Sequence, residues 1–225
     1  MKAVILAAGE GTRLRPLTLE LPKPLIPING KPIIERIFES LPDEVDDVVM
    51  VVEYLKEKIK SHLGDHFLNK KITYVDQGEK KGTYGALLSS KGLFEKGERF
   101  LVLNGDDMHS KAELEQFLEH PRTFGIQKMI MPNYYNISTT PEGFLEGFRP
   151  QTDEEKITGT MIATGVYMLD SNIFDHPGVM VSGGELGLPQ TILAQKELYP
   201  IKVVSMANWT PVNSFEDIER VNRLC

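Results

Sequence analysis

Apolar residues fall along the first half of this chain in short continuous runs, separated by stretches of helical period. Lys2–Ala7, Asp47–Val52, Lys71–Val75 and Phe100–Asn104 read as strands, and Ile33–Ser40, Leu55–Leu63 and Tyr84–Phe94 between them read as helices. That alternation predicts a Rossmann-like α/β fold: a wound, mostly parallel sheet with helices on both faces. A run such as Val48-Val49-Met50-Val51-Val52 is apolar on both side-chain rows, as a strand covered on both faces requires. In the second half, Lys128–Met131, Gly143–Phe148, Thr164–Leu169 and Ile201–Ser205 read as strands with little helix between the first three, which predicts a mixed extension of the sheet. The charged stretch Gln151–Gly159 reads as a mobile loop within one domain spanning residues 1–225. Ser214-Phe215-Glu216-Asp217 has Ser at a cap position and an acid three residues later, so a closing helix is expected from there to Arg223.

Composition narrows the function classes. With 225 residues and 41% hydrophobic content the chain can bury the core of one large domain. A net charge of -7 argues against a nucleic-acid or anionic-membrane binder, whose affinity comes from many cations displacing counterions. The lone cysteine, Cys225, allows no intramolecular disulfide and fits a reducing compartment. The apolar stretch Ala3–Ala8 is short for a signal peptide and runs into Glu10, Arg13 and Arg15, and no apolar run approaches the roughly 20 residues that span a bilayer. A cytoplasmic protein is expected, with no nucleic-acid or membrane partner.

The chemistry concentrates in LAAGEGTRLRPLT, Leu6 to Thr18, followed by Pro22-Lys23-Pro24. Gly9 and Gly11 can take backbone angles closed to other residues, so that peptide N–H groups turn inward around an anion, while Arg13 and Lys23 supply full charges. A triphosphate is the ligand this suits. The plainer alternative is a strand-to-helix turn with Arg13 and Arg15 solvated. There is no Gly-Lys-Ser/Thr of a P-loop, and Leu14 stands where a dinucleotide fold wants its third glycine. Asp106 follows the strand Phe100–Asn104 beside Gly105, where a carboxylate could serve a hard cation and the glycine could allow close ligand approach. An Asn-Gly-Asp turn is the plainer reading of that triplet.

Together the G-x-G-T-R-L loop and P-K-P resemble the signature of the sugar-1-phosphate nucleotidyltransferases. The resemblance implies a fold of the nucleotide-diphospho-sugar transferase type, and an enzyme that joins an NTP to a sugar-1-phosphate with release of pyrophosphate. It implies catalytic roles for Arg13, Lys23 and Asp106, and Mg²⁺ held by Asp106 and by Asn213 of the W-x-x-V-N-S segment at Trp209. The nucleotide would meet Leu6, Ala8, Gly9, Gly11, Thr12, Arg13, Lys23, Gln77, Gly82, Thr83 and Asn104. Gln77 with Gly82-Thr83-Tyr84-Gly85-Ala86 matches the family's Q-x-x-x-x-G-T-x-x-A; a Gln amide can pair with the imide edge of a pyrimidine, which favours UTP or dTTP. Thr83 as a helix cap is compatible with that reading. Many uridylyl relatives have Gly where this chain has Tyr84, and Pro211 stands where relatives have Asp.

On the sugar side the resemblance points to Asn136, Arg149 and Glu185, with Arg149 a cation suited to the sugar's phosphate. The chain departs from the family here: Phe148-Arg149-Pro150 stands for E-K-P, and Ala163 replaces an amide. A phosphocholine cytidylyltransferase-like enzyme, and a non-catalytic nucleotide-sugar-binding regulatory protein, are the alternatives. The regulatory reading would be expected to have lost Arg13, Lys23 or Asp106. The five histidines form no cluster, and His62 and His66 lack the intervening Glu of a zinc protease helix, so zinc is not expected. The short stand-alone form of the family, without the β-helix module that some relatives append, is the expected type, and a homo-oligomer is compatible with it.

Overall fold

The apolar runs assemble into an eight-stranded sheet. Its strands in chain order are β1 (Lys2–Ala7), β2 (Asp47–Val52), β3 (His66–Phe67), β4 (Lys70–Asp76), β5 (Arg99–Asn104), β6 (Thr123–Met129), β7 (Thr160–Asp170) and β8 (Lys202–Ser205). They lie in the order β8-β6-β7-β5-β1-β2-β4-β3. The computed structural model describes residues 1–79, 81–131 and 134–224; Cys225 lies outside the described residues. The inner pairs β5-β1, β1-β2 and β2-β4 are parallel, as is β6-β8, whereas β7 runs antiparallel to both its neighbours and β3 antiparallel to β4. The chain winds from β1 through β2 to β4, then returns to the other side of β1 as β5. The strand order therefore reverses between β1 and β5, and the loops leaving these two strands frame the crevice where ligands gather in such sheets.

The period-2 alternation of each strand divides the core in two. Ala3 and Ile5 of β1 and Val48, Met50 and Val52 of β2 enter one apolar cluster, while Val4, Val49 and Val51 enter the other. Helices α1 (Ile33–Ser40) and α2 (Lys56–Leu63) cover the first face with Ile33, Ile34, Ile37 and Phe38, and with Ile59 and Leu63. Helix α3 (Thr83–Ser89) covers the second with Tyr84, Ala86 and Leu87. The later helices are α4 (Lys111–Gln116), α5 (Glu155–Thr158), α6 (Leu188–Ala194) and α7 (Phe215–Leu224). Leu114 and Val221 place α4 and α7 on the first face, and Leu188 and Ile192 place α6 on the second. Among the described residues no helix is long and apolar enough to cross a membrane.

Departures from the sequence expectation have local causes. Strand β6 occupies Thr123–Met129, not Lys128–Met131, because Gly125, which reads as a breaker, is required inside the strand. A Cβ there would lie 2.3 Å from Thr164 Oγ1. The helix expected over Tyr84–Phe94 ends at Ser89, where the Ser89 and Ser90 hydroxyls donate to the carbonyls of Ala86 and Leu87 at 2.6 Å each, and a 3₁₀ turn, Lys91–Leu93, follows. The stretch Gln151–Gly159 is not simply a loop: it holds the one-turn helix α5, closed by Gly159 at φ +84°. Outside the main sheet, Tyr135–Thr139 and Leu145–Pro150 form an antiparallel ribbon.

Candidate active site

The loop leaving β1 is held by Gly11, whose φ of +63° admits few residues other than glycine. Its carbonyl accepts from Leu14 N at 2.9 Å and from the fully buried Thr18 Oγ1 at 2.9 Å. Thr12, Arg13 and Leu14 then make a 3₁₀ turn, with Leu14 buried as the anchor and Thr12 and Arg13 left exposed. Gly9 differs from the expectation: its φ is not positive and a Cβ would meet nothing within 4 Å. Gly9 leaves open space at an exposed position; only Gly11 is demanded by the backbone.

Lys23 sits in the 3₁₀ turn Lys23–Leu25, with Pro22 before it and Pro24 inside it, so its backbone has little freedom. It is 6% exposed, and an ammonium so far out of water needs partners. Lys23 Nζ donates to Asp106 Oδ2 at 2.5 Å and to Asn213 Oδ1 at 3.2 Å. Arg13 Nη2 donates to the same Asn213 oxygen at 2.9 Å. These side chains come from the β1 loop, the Pro-Lys-Pro turn, the end of β5 and the segment before α7, and they meet beside the reversal of strand order.

Two small devices produce that meeting. Gly105 N donates to Leu6 O at 2.8 Å, and a Cβ on Gly105 would stand 2.9 Å from both Leu6 O and Ala7 Cβ. The glycine therefore serves the close approach of β1 to the Asp106 turn rather than the approach of a ligand. The next residues, Asp107–Met108, pair antiparallel with Thr210–Pro211, which carries Asn213 to Asp106. Ser214 caps α7: its Oγ accepts from Asp217 N at 3.2 Å, and Asp217 Oδ2 accepts from Asn213 N at 2.8 Å and Ser214 N at 3.1 Å. This capping box fixes the backbone that presents Asn213.

Asp106 and Asn213 suit a hard cation. A carboxylate oxygen and an amide oxygen converge on the point where Lys23 Nζ now sits, and both are oxygen donors. Among the described residues no group of three or more His, Cys, Asp or Glu could form a cage, so a metal here would draw its other ligands from phosphate and water, as Mg²⁺ does. Asp107 is differently placed, 4% exposed, with its Oδ2 accepting from Asn104 Nδ2 at 3.2 Å. Burial, reinforced by the charge of Asp106, pushes its carboxyl well above the ordinary range despite the pull of Lys23. Asn104 is itself seated on Gly165, where a Cβ would meet Asn104 Nδ2 at 2.1 Å. Thus Asp107 and Asn104 brace the strand end that presents Asp106.

On the opposite side of the crevice, Gly82 has φ +87°, and a Cβ there would lie 2.5 Å from Leu186 O and 2.9 Å from Glu185 Cβ. Gln77 Nε2 lies 3.5 Å from Gly82 O, so both residues named for the base are neighbours. Glu185 is exposed and sits beside Gly82 rather than in the cavity described below. Gly82, not Thr83, is the cap position of α3; Thr83 Oγ1 accepts from Leu188 N at 2.9 Å and ties α3 to α6. Tyr84 points away from the crevice into the second core, its hydroxyl 2.9 and 2.6 Å from the carbonyls of Ile173 and His176.

Next to Asn104 lies a cavity of about 250 Å³. Its walls include Tyr134, Tyr135, Phe148, Ala163 and Tyr167, with Thr83, Asn104 and Gln190 as neutral polar groups. Asn136 and Arg149 do not line it. In the ribbon Asn136 pairs with Arg149 and Ile137 with Phe148, so alternation sends the first pair to the face opposite the cavity. There both bind Glu155: Arg149 Nη1 and Nη2 donate at 2.7 and 2.5 Å, and Asn136 Nδ2 at 2.6 Å. The Arg149 guanidinium pulls the Glu155 carboxyl down to about 2. Tyr134 was not singled out from the sequence, yet it stands close enough to Arg13 to feel its charge, while burial pushes its phenol up. Pro189 and Gln190 were also missed; the alternation Tyr135-Asn136-Ile137 was the available signal for the ribbon's inner face.

A family model described as nucleotidyl transferase matches residues 2–181. The bifunctional protein GlmU of Methanocaldococcus jannaschii is 37% identical over 177 residues, covering 78% of this chain and 41% of that protein. Mannose-1-phosphate guanylyltransferase 1 of Arabidopsis thaliana is 38% identical over 189 residues, covering 78% of this chain and 51% of its own length. The matched region thus spans about half or less of these curated relatives. A solved UDP-glucose pyrophosphorylase complexed with UDP-glucose has a TM-score of 0.83 over 99% of this chain and 97% of that one, at 20% identity, and shares the fold. The chain belongs to the nucleotidyl transferase family, the sugar-1-phosphate nucleotidyltransferases.

Proposed function

We propose that this protein transfers a nucleotidyl group from an NTP, UTP or dTTP in preference, to a sugar-1-phosphate and releases pyrophosphate. The observation that carries the reading is the meeting of Arg13, Lys23, Asp106 and Asn213 from separate segments at the reversal of strand order. A phosphate oxygen of the acceptor attacks the α-phosphorus in line, and the P–O bond to the leaving pyrophosphate breaks. Lys23, held rigidly and nearly dry, is suited to bind the α-phosphate and the acceptor phosphate together; a fixed charge in such a place needs no reorganisation as the transition state forms. Arg13, exposed on its 3₁₀ turn, is free to follow charge onto the leaving pyrophosphate. Asp106 and Asn213 would hold Mg²⁺, which supplies charge neutralisation between the phosphates. With Asp106 so occupied, Lys23 would take a phosphate as partner in place of the carboxylate.

The base preference rests on Gln77 and the Gly82 backbone, which suit a pyrimidine imide edge. A guanylyltransferase name among the relatives makes GTP the competing nucleotide. The aromatic, uncharged cavity favours one second reading, phosphocholine with CTP, since aromatic faces hold quaternary ammonium groups. A matrix of the four NTPs against several sugar-1-phosphates and phosphocholine, scored by pyrophosphate release, separates these. Highest kcat/KM with UTP or dTTP and a sugar phosphate supports the proposal; preference for a purine NTP refutes the base assignment, and CTP with phosphocholine refutes the sugar.

A further inference from the structure

Resting on that reading, we infer that the acceptor phosphate carries an apolar substituent of several carbons, remote from its phosphate, and that a second groove binds it. Tyr135, Phe148 and Gln190 wall the cavity beside Asn104 on one side and a larger groove of about 640 Å³ on the other. The groove continues outward over Val181 and Leu193 and past Met180, which is 65% exposed. Among the described residues no Asp, Glu, Lys or Arg lines either space, and the groove's polar side chains are those of Ser182, Gln190 and Tyr135.

A bare hexose is covered with hydroxyls and needs a partner for each one it buries. The wall offers that chiefly near Asn104, Thr83, Gln190 and the tyrosine hydroxyls; farther out Val179, Met180, Val181, Leu193 and Ala194 outnumber the lone hydroxyl of Ser182, and reward apolar atoms. Phe148 and Ala163 add apolar surface to the cavity wall itself. The shared walls set the direction in which the substituent would leave, along the ribbon and toward α6.

The test uses the intact protein with its preferred NTP and two series of glucosamine 1-phosphates, acylated at N2 or at O6 with acetyl, butanoyl or hexanoyl groups. In one series kcat/KM should rise with chain length, by about tenfold or more from acetyl to hexanoyl if the added methylenes leave water even in part. Met180→Asp, at an exposed site that folding tolerates, should bring the hexanoyl-to-acetyl ratio back toward unity. Turnover of the acetyl compounds with flat or falling kcat/KM in both series overturns the inference and leaves the nucleotidyltransferase reading standing. So does a hexanoyl preference that survives Met180→Asp. Pyrophosphate release with phosphocholine in place of every sugar overturns the inference too, and no release with any acceptor removes the reading and the inference together.

Discussion

Lys23 is the residue on which the site turns. Its burial at 6% exposure is sustained by Asp106 and Asn213; under the proposed function a substrate phosphate would compete for the ammonium and a metal for those oxygens. Replacement by an apolar residue of similar length removes the ammonium's desolvation cost, and the carboxylate it strands at Asp106 is 32% exposed and so still reached by water. We therefore expect Lys23→Met to lower kcat by about 10²-fold or more, the loss typical for one preorganised charge, while its thermal midpoint stays level or rises. A thermal scan beside steady-state kinetics checks both halves; lost stability with retained turnover would make Lys23 structural. Lys23→Arg should fail as well, since a longer planar fork does not fit a pocket closed around a point charge. At this scale the cationic loop and Asp106 were legible because charge and sequence order announce them. The glycines were less so: whether a glycine serves a positive φ, as Gly11 does, or a neighbouring strand, as Gly105 does, depends on contacts that only the folded chain makes.

Elements act here by presenting single residues. The capping box of α7 fixes Asn213 through Asp217, so Asp217→Ala should raise the Mg²⁺ concentration needed for half-maximal activity by roughly tenfold, as loss of supporting contacts to metal ligands commonly does. A Mg²⁺ titration identical to wild type would detach the cap from the metal site. Helix α5 answers to Glu155, whose carboxyl is lowered from 4.5 to about 2 by Arg149. A lowered carboxylate pKa stabilises the folded arrangement above the ordinary value and loses that contribution as pH falls through the folded value. Amide exchange in residues 152–159 should accordingly show protection declining between pH 4.5 and about 2, beyond the intrinsic pH effect. Glu155→Gln should show low protection throughout; an unchanged profile would show that the ion pair does not hold α5. The capping box was legible from Ser214 and Asp217 alone because its partners are local. Asn136 and Arg149 are implied for the acceptor by the resemblance, but strand alternation turns them to Glu155, on the face opposite the aromatic row.

The molecule as a whole places a crevice at the reversal between β1 and β5, braces it with two apolar cores, and walls it with a ribbon that Ile137 and Leu145 anchor in the second core. The parallel half was legible because buried strands are continuous apolar runs; the mixed half was blurred where Gly125 breaks the pattern inside β6 and Gly165 bulges β7 over Asn104. Under the proposed function the site would bring two phosphates together without a protein nucleophile, so the nucleotidyl group should pass directly from NTP to acceptor. Turnover of UTP labelled separately at the α-phosphorus and at the γ-phosphorus, with a sugar-1-phosphate acceptor, tests this most directly. The account predicts that the α label appears in the nucleotide sugar, that the γ label appears in pyrophosphate, and that neither stays on the protein. Label released as inorganic phosphate before any pyrophosphatase is added, or α label bound covalently to the chain, would contradict it.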